Sequence, residues 1–295
     1  MEGTDLKDFV IMTDSSCDLP ASLAEKMELA VLPLSVYVED IKYNNYLDER
    51  EISFHTIYDK LRTKCPAKTS AVNMAEFIEL MEPILQAGKD LLYIGFSSGL
   101  SGTYNAGAAA AKELADKYPD SKIYTVDSLC ASLGQGLLIY HAWQEKQKGR
   151  TIEEVRDFTE QTKLHLCHWF TIDDLMFLKR GGRISSSTAI LGSMLNIKPV
   201  MHVDNAGHLI NVSKARGRKA SIRALADEAG KRGIDLKNQT IFISHGDCVE
   251  EANYLGDIMR DRFGVKEVLI NYVGPVIGAH SGPGTIALFF MGTER

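Results

Sequence analysis

The sequence predicts an α/β protein of two domains, and three observations carry that prediction. Four times before residue 140 a strand or extended segment runs into a Ser/Thr/Asp-rich turn and then a helix, with turns near 13–20, 69–73, 95–103 and 127–136. This alternation is what a parallel, doubly wound sheet requires, and it gathers the loops along one edge. The second half differs: apolar runs flank Asp204-Asn-Ala-Gly207, a hairpin signal, so a mixed sheet is expected there. Finally, 295 residues suffice for two cores. A break after the helix at 152–163 divides the chain into an N-terminal α/β domain, 1–165, and a C-terminal α/β domain, 166–295.

Taken in order, residues 9–12 form an apolar strand that ends in Thr13-Asp-Ser-Ser-Cys-Asp-Leu-Pro20. Pro20 suits the first turn of a helix over 20–28. The polar cluster reads equally as the rim of a site and as a capping turn. Residues 29–38 alternate around β-branched side chains as a second strand, with Asp40 and the Asn44-Asn45 pair marking a turn. An amphipathic helix is expected over 51–62. The segment 66–73 is a polar loop, and Ser70 or Asn73 caps a helix over 74–87.

The run Asp90-Leu-Leu-Tyr-Ile-Gly-Phe-Ser-Ser-Gly99 is a buried strand, 91–94, followed by a turn that carries Ser97, Ser98, Ser101 and Thr103 ahead of a helix. Another strand, 122–126, leads to a helix ending near 148, whose small first-turn residues permit close packing. Thr151 and Glu154 have capping-box spacing. Beyond the boundary, 168–171 is extended and 173–178 is a short helix ended by Gly181-Gly182. A helix follows from 185 to about 195. Strands are expected at 196–203, 208–212, 239–244, 268–272 and 285–290, with helices at 214–232 and 249–263. Residues 274–284 contain too much glycine for a core strand.

Composition narrows the function. With 45% hydrophobic and 24% charged residues the chain is globular, not disordered. A net charge of −6 and a pI near 5.8 disfavour nucleic acid as a partner. The acidic start, Glu-Gly-Thr-Asp, does not read as a signal peptide, and no apolar run spans a bilayer. Five scattered cysteines without a C-x-x-C fit a reducing cytoplasm and no structural zinc. The group His165-Leu-Cys167-His168 lacks a second ligand pair at zinc spacing.

Two chemistries fit the Gly-Ser turn. Gly95-Phe-Ser-Ser-Gly99 is a G-x-S-x-G, so Ser97 with Asp173 or Asp174 and His280 follows the order of an α/β serine hydrolase. Only two or three strands precede Ser97, however, and no upstream oxyanion segment appears. The alternative is an anion site. Neither a P-loop nor a G-x-G-x-x-G is present, but a carboxylate needs only a few hydroxyls and a neutral donor, and Thr69, Ser97 and His280 supply these. Arg183, between two glycines and three serines, suits an anion contact or a helix cap. The basic run 214–219 reads as a solvated helix start or a patch for an acidic protein.

Five motifs together resemble the DegV family: Thr13-Asp-Ser-Ser-Cys-Asp-Leu19, Thr69-Ser70, Ser97-Ser-Gly-Leu-Ser-Gly-Thr-Tyr-Asn105, Leu178-Lys-Arg-Gly-Gly-Arg-Ile-Ser185 and Gly278-Ala-His-Ser-Gly-Pro-Gly284. The resemblance runs from about residue 10 to 290. Asn73 stands where many members carry proline, which alters the stiffness of its loop. The resemblance implies a bacterial fatty-acid-binding protein, the non-catalytic acyl-carrying subunit of a fatty acid kinase, with the ligand between two α/β domains. It implies that Thr69 and Ser97 bond the fatty-acid carboxylate, that Ser98 and His280 complete the cage, and that Arg183 lies close by. No catalytic residue, metal or cofactor is implied beyond the bound fatty acid. The implied partners are a long-chain fatty acid and the kinase catalytic subunit, met first at 214–219, with at most transient membrane contact. A lipid-sensing transcription or signalling module is the remaining class, and the acidic pI disfavours its DNA-binding form.

Overall fold

The computed structural model describes residues 7–70, 72–185 and 196–295, which form thirteen strands and ten α-helices. The expected helix after Ser185 lies outside the described residues. The first sheet has the order β2-β1-β6-β7 and is parallel throughout: β1 is Phe9–Asp14, β2 Ala30–Leu32, β6 Asp90–Gly95 and β7 Ile123–Asp127. Its strands bury both faces, as a parallel sheet must. Ile11, Leu92 and Ile94 point to one core, whereas Met12, Leu91 and Tyr93 point to the other.

The expected single strand over 29–38 is two. Pro33, which has no N–H to donate, ends β2, and β3 (Leu34–Val38) leaves for a separate antiparallel sheet with β4 (Ile41–Asn45) and β5 (Ala67–Ser70). The turn between β3 and β4 is at Glu39 and Asp40, both at positive φ, while the Asn pair ends β4. Thus Thr69 and Ser70, expected in a loop, are held on an edge strand. Helix α1 is Ala21–Lys26 and α2 is Phe54–Arg62; α3 (Met74–Gln86) begins at a capping box of Asn73 and Glu76. Helix α4 is Thr103–Lys117 and α6 is Ile152–Thr162, with its own capping box at Thr151.

All strands after residue 165 belong to a six-stranded mixed sheet, order β10-β9-β8-β13-β11-β12. Here β8 is Leu166–Thr171, β9 Ile197–Val203, β10 Leu209–Arg216, β11 Thr240–His245, β12 Glu267–Tyr272 and β13 Ile286–Met291. Only β11 and β12 pair in parallel. The hairpin β9–β10 turns at Asp204, whose carboxylate accepts from the N–H groups of Ala206 and His208, both at 2.9 Å. Strand β10 runs further than expected, so Lys214 and Arg216 are strand residues and the helix there, α8, starts at Arg218 and ends at Arg232. With α9 (Val249–Phe263) it covers the outer face of this sheet.

Helix α5 (Leu133–Gln147) joins the halves. Every residue from Leu133 to Ile139 is buried, as expected of a helix enclosed on all sides. It packs on η-turn residues Ser15–Cys17 and β6 from one half and on β8, β11 and β13 from the other. The short helix α7 is Met176–Arg180. The glycine-rich 274–284 contains another, α10 (Pro275–Ser281), which crosses back to rest on α2, β3 and β5. Its small residues explain both its sequence and its place: a Cβ at Gly278 would come within 2.6 Å of the Tyr58 hydroxyl.

The Ser97 turn is a further bridge. Ser97 is fully buried and donates to the Gly207 carbonyl of the β9–β10 turn at 3.0 Å. Gly207 has φ +79, and a Cβ there would meet Ser97 Oγ at 2.1 Å. We expect Ser97→Ala to lose about 1 kcal/mol of stability and Gly207→Ala, at a φ that L-residues resist, more than about 1 kcal/mol. Because removing Oγ makes room for the new methyl, the double variant should cost less than the sum of the two. Chemical denaturation checks this; strict additivity would show that the two residues do not press on each other.

Candidate functional site

A narrow cavity of ≈ 90 Å³ runs between the halves and opens into a cleft of ≈ 570 Å³. Thr69, Ser70, Ser101, Arg183 and His280 line both, and so stand at the mouth. Inside, the walls are mainly apolar: Leu34, Phe96 and Val276 on one side, Phe170, Leu178 and Phe289 on the other. A thin apolar bore behind a polar mouth suits an unbranched amphiphile.

At the mouth, α10 brings His280 to β5, where its Nε2 lies 2.8 Å from Thr69 Oγ1. Gly181, just past α7, allows this: a Cβ there would meet His280 Nδ1 at 2.2 Å. Burial, with help from the Arg183 charge, lowers the His280 pKa to about 4, so the ring is neutral at pH 7. A neutral ring that donates from Nε2 leaves the Thr69 hydrogen free for a third group. Arg183 is half-buried and donates to the carbonyls of Leu100 and Gly181; among the described residues no carboxylate pairs with it. Ser101 and Thr103 cap the start of α4, with their hydroxyls 2.9 Å apart, so the positive end of that helix also faces the mouth.

The structure therefore brings Thr69, His280 and Arg183 together and leaves Ser97 and Ser98 elsewhere. Ser97 Oγ meets Gly207 O and accepts from Gly99 N–H; it has no imidazole partner among the described residues. Ser98 is exposed, and its N–H donates to Asp127. Asp173 pairs with Lys198 and Arg218, and the Asp174 carboxylate accepts from Met176 N–H. Ser101 is the residue that motif reading passed over. It lies four residues beyond Ser97 in the same Ser-Ser-Gly-Leu-Ser run, and its position just ahead of α4 was the available signal.

The Thr13–Leu19 motif is internal. Asp14, Ser15 and Ser16 are fully buried. Asp14 accepts from Phe96 N–H (3.0 Å) and from the Tyr93 hydroxyl (3.2 Å), and burial raises its pKa. Thr13 donates to Ile94 O, and Gln135 of α5 donates to Thr13 Oγ1. Asp18 reaches across to the cavity wall: its Oδ2 is 2.5 Å from Ser132 Oγ, which is 3.1 Å from Ser244 Oγ. Ser132 and Ser244 line the bore. His168 is also internal, its ring edge-on to Phe289 and its Nδ1 at Leu166 O. His55, Asp59 and Asp247 cluster on the surface, but Arg62 already pairs with both carboxylates.

Comparison with known proteins supplies the family. A family model described as "Uncharacterised protein, DegV family" matches residues 8–293. The chain belongs to the DegV family. A DegV domain-containing protein of Clostridium perfringens is 46% identical over 98% of this chain and 99% of its own. A DegV family protein of Thermus thermophilus, whose structure is described as fatty acid binding, is 28% identical with a TM-score of 0.84 over 97% of this chain and 99% of its own. The Fatty Acid Kinase (Fak) B3 protein of Streptococcus pneumoniae, loaded with linoleic acid, is 21% identical (TM-score 0.84, 96% and 99% covered), a likeness of fold. The two-domain α/β architecture of the DegV chain is shared with these structures. No helix among the described residues is long and apolar enough to cross a membrane.

Burial, reinforced by Asp14, pushes the Asp18 pKa up to about 8 from an ordinary 3.8. A carboxyl raised by folding stabilises the fold most below its unfolded pKa, and that contribution falls as pH climbs from about 4 towards 8. Thermal unfolding across this window should show wild-type stability declining relative to Asp18→Asn. Parallel curves would mean that Asp18 is ionised throughout.

Proposed function

We propose that this protein binds a long-chain fatty acid, with its carboxylate at the mouth and its tail in the bore, and presents it to a separate kinase subunit. One observation carries the reading: a half-buried Arg183, with no acidic partner among the described residues, stands with a neutral Thr69–His280 pair at the open end of an apolar cavity. A buried carboxylate must be hydrogen-bonded, and Thr69, Ser101 and His280 supply bonds without a lysine's full neutralisation. Each buried methylene contributes ~0.8 kcal/mol, so the tail dominates affinity and the mouth sets orientation. The Thermus relative's described fatty acid binding supports the same ligand class.

In this reading the chain holds the substrate and does not itself react. The kinase would approach over the cleft, whose rim carries Lys64, Arg180 and Lys68, the last paired with Asp40, and which no acidic side chain lines among the described residues. Those cations would face the phosphoryl donor as the carboxylate becomes an acyl phosphate. At 214–219 the side chains of Lys214, Arg216 and Lys219 are exposed, whereas Arg218 is tied to Glu251 at 2.7 Å; the free three offer a second contact for an acidic partner. A cytoplasmic location accords with such a partner. The hydrolase alternative has the weaker geometry, since Ser97 and His280 are bonded to different groups.

Denaturing extraction of the purified protein, followed by mass spectrometry, should release a long-chain acid, and delipidated protein should take one up. Binding isotherms should show Thr69→Ala, Ser101→Ala and His280→Ala weakened by roughly tenfold each, with Ser97→Ala nearly unchanged and no serine-reactive phosphonate attached to it. Absence of any bound or acquired acid would overturn the proposal; ester turnover lost in Ser97→Ala would favour the hydrolase.

A further inference from the structure

The wall of the bore carries a hydrogen-bonding chain that the carboxylate site does not use. Asp18 of the first half, Ser132 at the start of α5 and Ser244 of β11 are linked in series, Asp18 Oδ2 to Ser132 Oγ at 2.5 Å and Ser132 Oγ to Ser244 Oγ at 3.1 Å. All three are at most 5% exposed. Ser132 sits at φ 54, ψ −146, a backbone conformation that non-glycine residues rarely occupy. The chain lies deeper than the mouth: Ser132 and Ser244 line the bore but not the outer cleft, and β11 and β13 pair Ser244 with Ala287, which also lines the bore.

Counting hydrogens shows what the chain lacks. Asp18 in its neutral form, Ser132 and Ser244 bring three O–H hydrogens to two O···O links. One hydrogen is therefore left without an acceptor. Among the described residues no acceptor meets Asp18 Oδ1, and the neighbouring Gly274 N–H is itself a donor to this carboxyl, so a proton on Oδ1 would be orphaned in the interior. Placed on Oδ2, the proton goes to Ser132, Ser132 donates to Ser244, and the surplus hydrogen falls on Ser244. Among the described residues Ser132 is the one partner of Ser244 Oγ, and Ser244 faces the cavity. The burial that pushes the Asp18 pKa to about 8 keeps this arrangement in force at neutral pH.

We infer that Ser244 is a polar station within the bore, and that the ligands of this protein include long-chain fatty acids bearing an oxygen substituent, a hydroxyl or a keto group, at the mid-chain carbon that reaches it. The inference rests on the fatty-acid reading of the mouth and adds the class of tail. An oxygen at that depth accepts from Ser244; at any other depth it is buried against hydrocarbon. An unpaired hydroxyl in such surroundings costs about 1–3 kcal/mol, roughly tenfold to a hundredfold in affinity. The bore would thus discriminate by position of the oxygen, a property that a plain apolar tunnel lacks.

Displacement of a fluorescent fatty acid by stearic acid and by stearic acids hydroxylated at successive mid-chain carbons tests this. In the wild-type protein one position, or two adjacent ones, should bind within about threefold of stearic acid or more tightly, with the rest weaker by roughly tenfold to a hundredfold. Ser244→Ala should remove the favoured position while leaving stearic acid bound. Ser132→Gly, which suits the local φ, removes the donor that holds Ser244 Oγ in place and should blur the preference among positions, which serves if the first variant does not fold. Asp18→Asn, whose amide still donates towards Ser132, should keep the preference. If stearic acid binds but all positions are equally disfavoured, or the preference survives Ser244→Ala, the station is refuted and the fatty-acid reading stands. If stearic acid itself does not bind, the fatty-acid reading fails and the station with it.

Discussion

The first two turns of helix α5 have no solvent face, and this constraint determines how the two halves meet. A helix whose first two turns are buried in every direction must be covered by both sheets. The two halves therefore share a core: residues of β1, β6, β8, β11 and β13 pack around α5 in one continuous cluster. Gly134 and Gly136 are what let the sheets close on it, because a Cβ on either would strike His168 or the Cys17 carbonyl. A bore between domains that merely touched would collapse or open with their motion. Here its walls are fixed by a helix that neither half can release without exposing it.

Polar groups complete the join where hydrophobic packing cannot. The Thr13–Asp18 segment ties β1 to β6 and to α5 through buried hydrogen bonds, and leaves few buried donors of that junction unpaired. Ser97 does the same at the opposite corner by holding the β9–β10 turn. These motifs have the composition of a site because a buried junction and a ligand cage make the same demand, namely hydroxyls and carboxylates at strand ends. What separates them is which hydrogens are already taken. Ser97 has given its hydrogen to Gly207; Thr69 can keep its own when His280 donates.

That distinction explains how far the sequence could be read. The β-to-α alternation of the first half apart from the 66–73 unit, whose β5 joins an antiparallel sheet, the 204–207 hairpin and the Thr151 capping box follow from local chemistry and stand in the structure as expected. Pro33 was a visible warning that 29–38 was not one strand, since a proline cannot donate within a ladder. The 274–284 segment was opaque because Gly278, which lowers helix propensity, answers to Tyr58 across the domain junction. Thr69 and His280 are 211 residues apart, so only the fold could show that they touch. Ser97 and Ser101 are the sharpest case: identical residues in one motif, four positions apart, one turned into the junction and the other to the cavity.

On the proposed function, the choice of groups at the mouth follows from what a presented carboxylate must still do. A lysine in contact would neutralise it and lower its reactivity towards an incoming phosphorus. Hydroxyls and a neutral imidazole bond the same oxygens but leave most of the negative charge in place. The imidazole stays neutral because it is buried beside Arg183, whose charge opposes a second positive one. Arg183 in turn is held by two backbone carbonyls and, among the described residues, by no acid, so its field is available to draw an anion inward. Holding strength can then reside in the tail, far from the reacting atoms. A site built this way would bind through the bore and keep the carboxylate at its mouth ready to react.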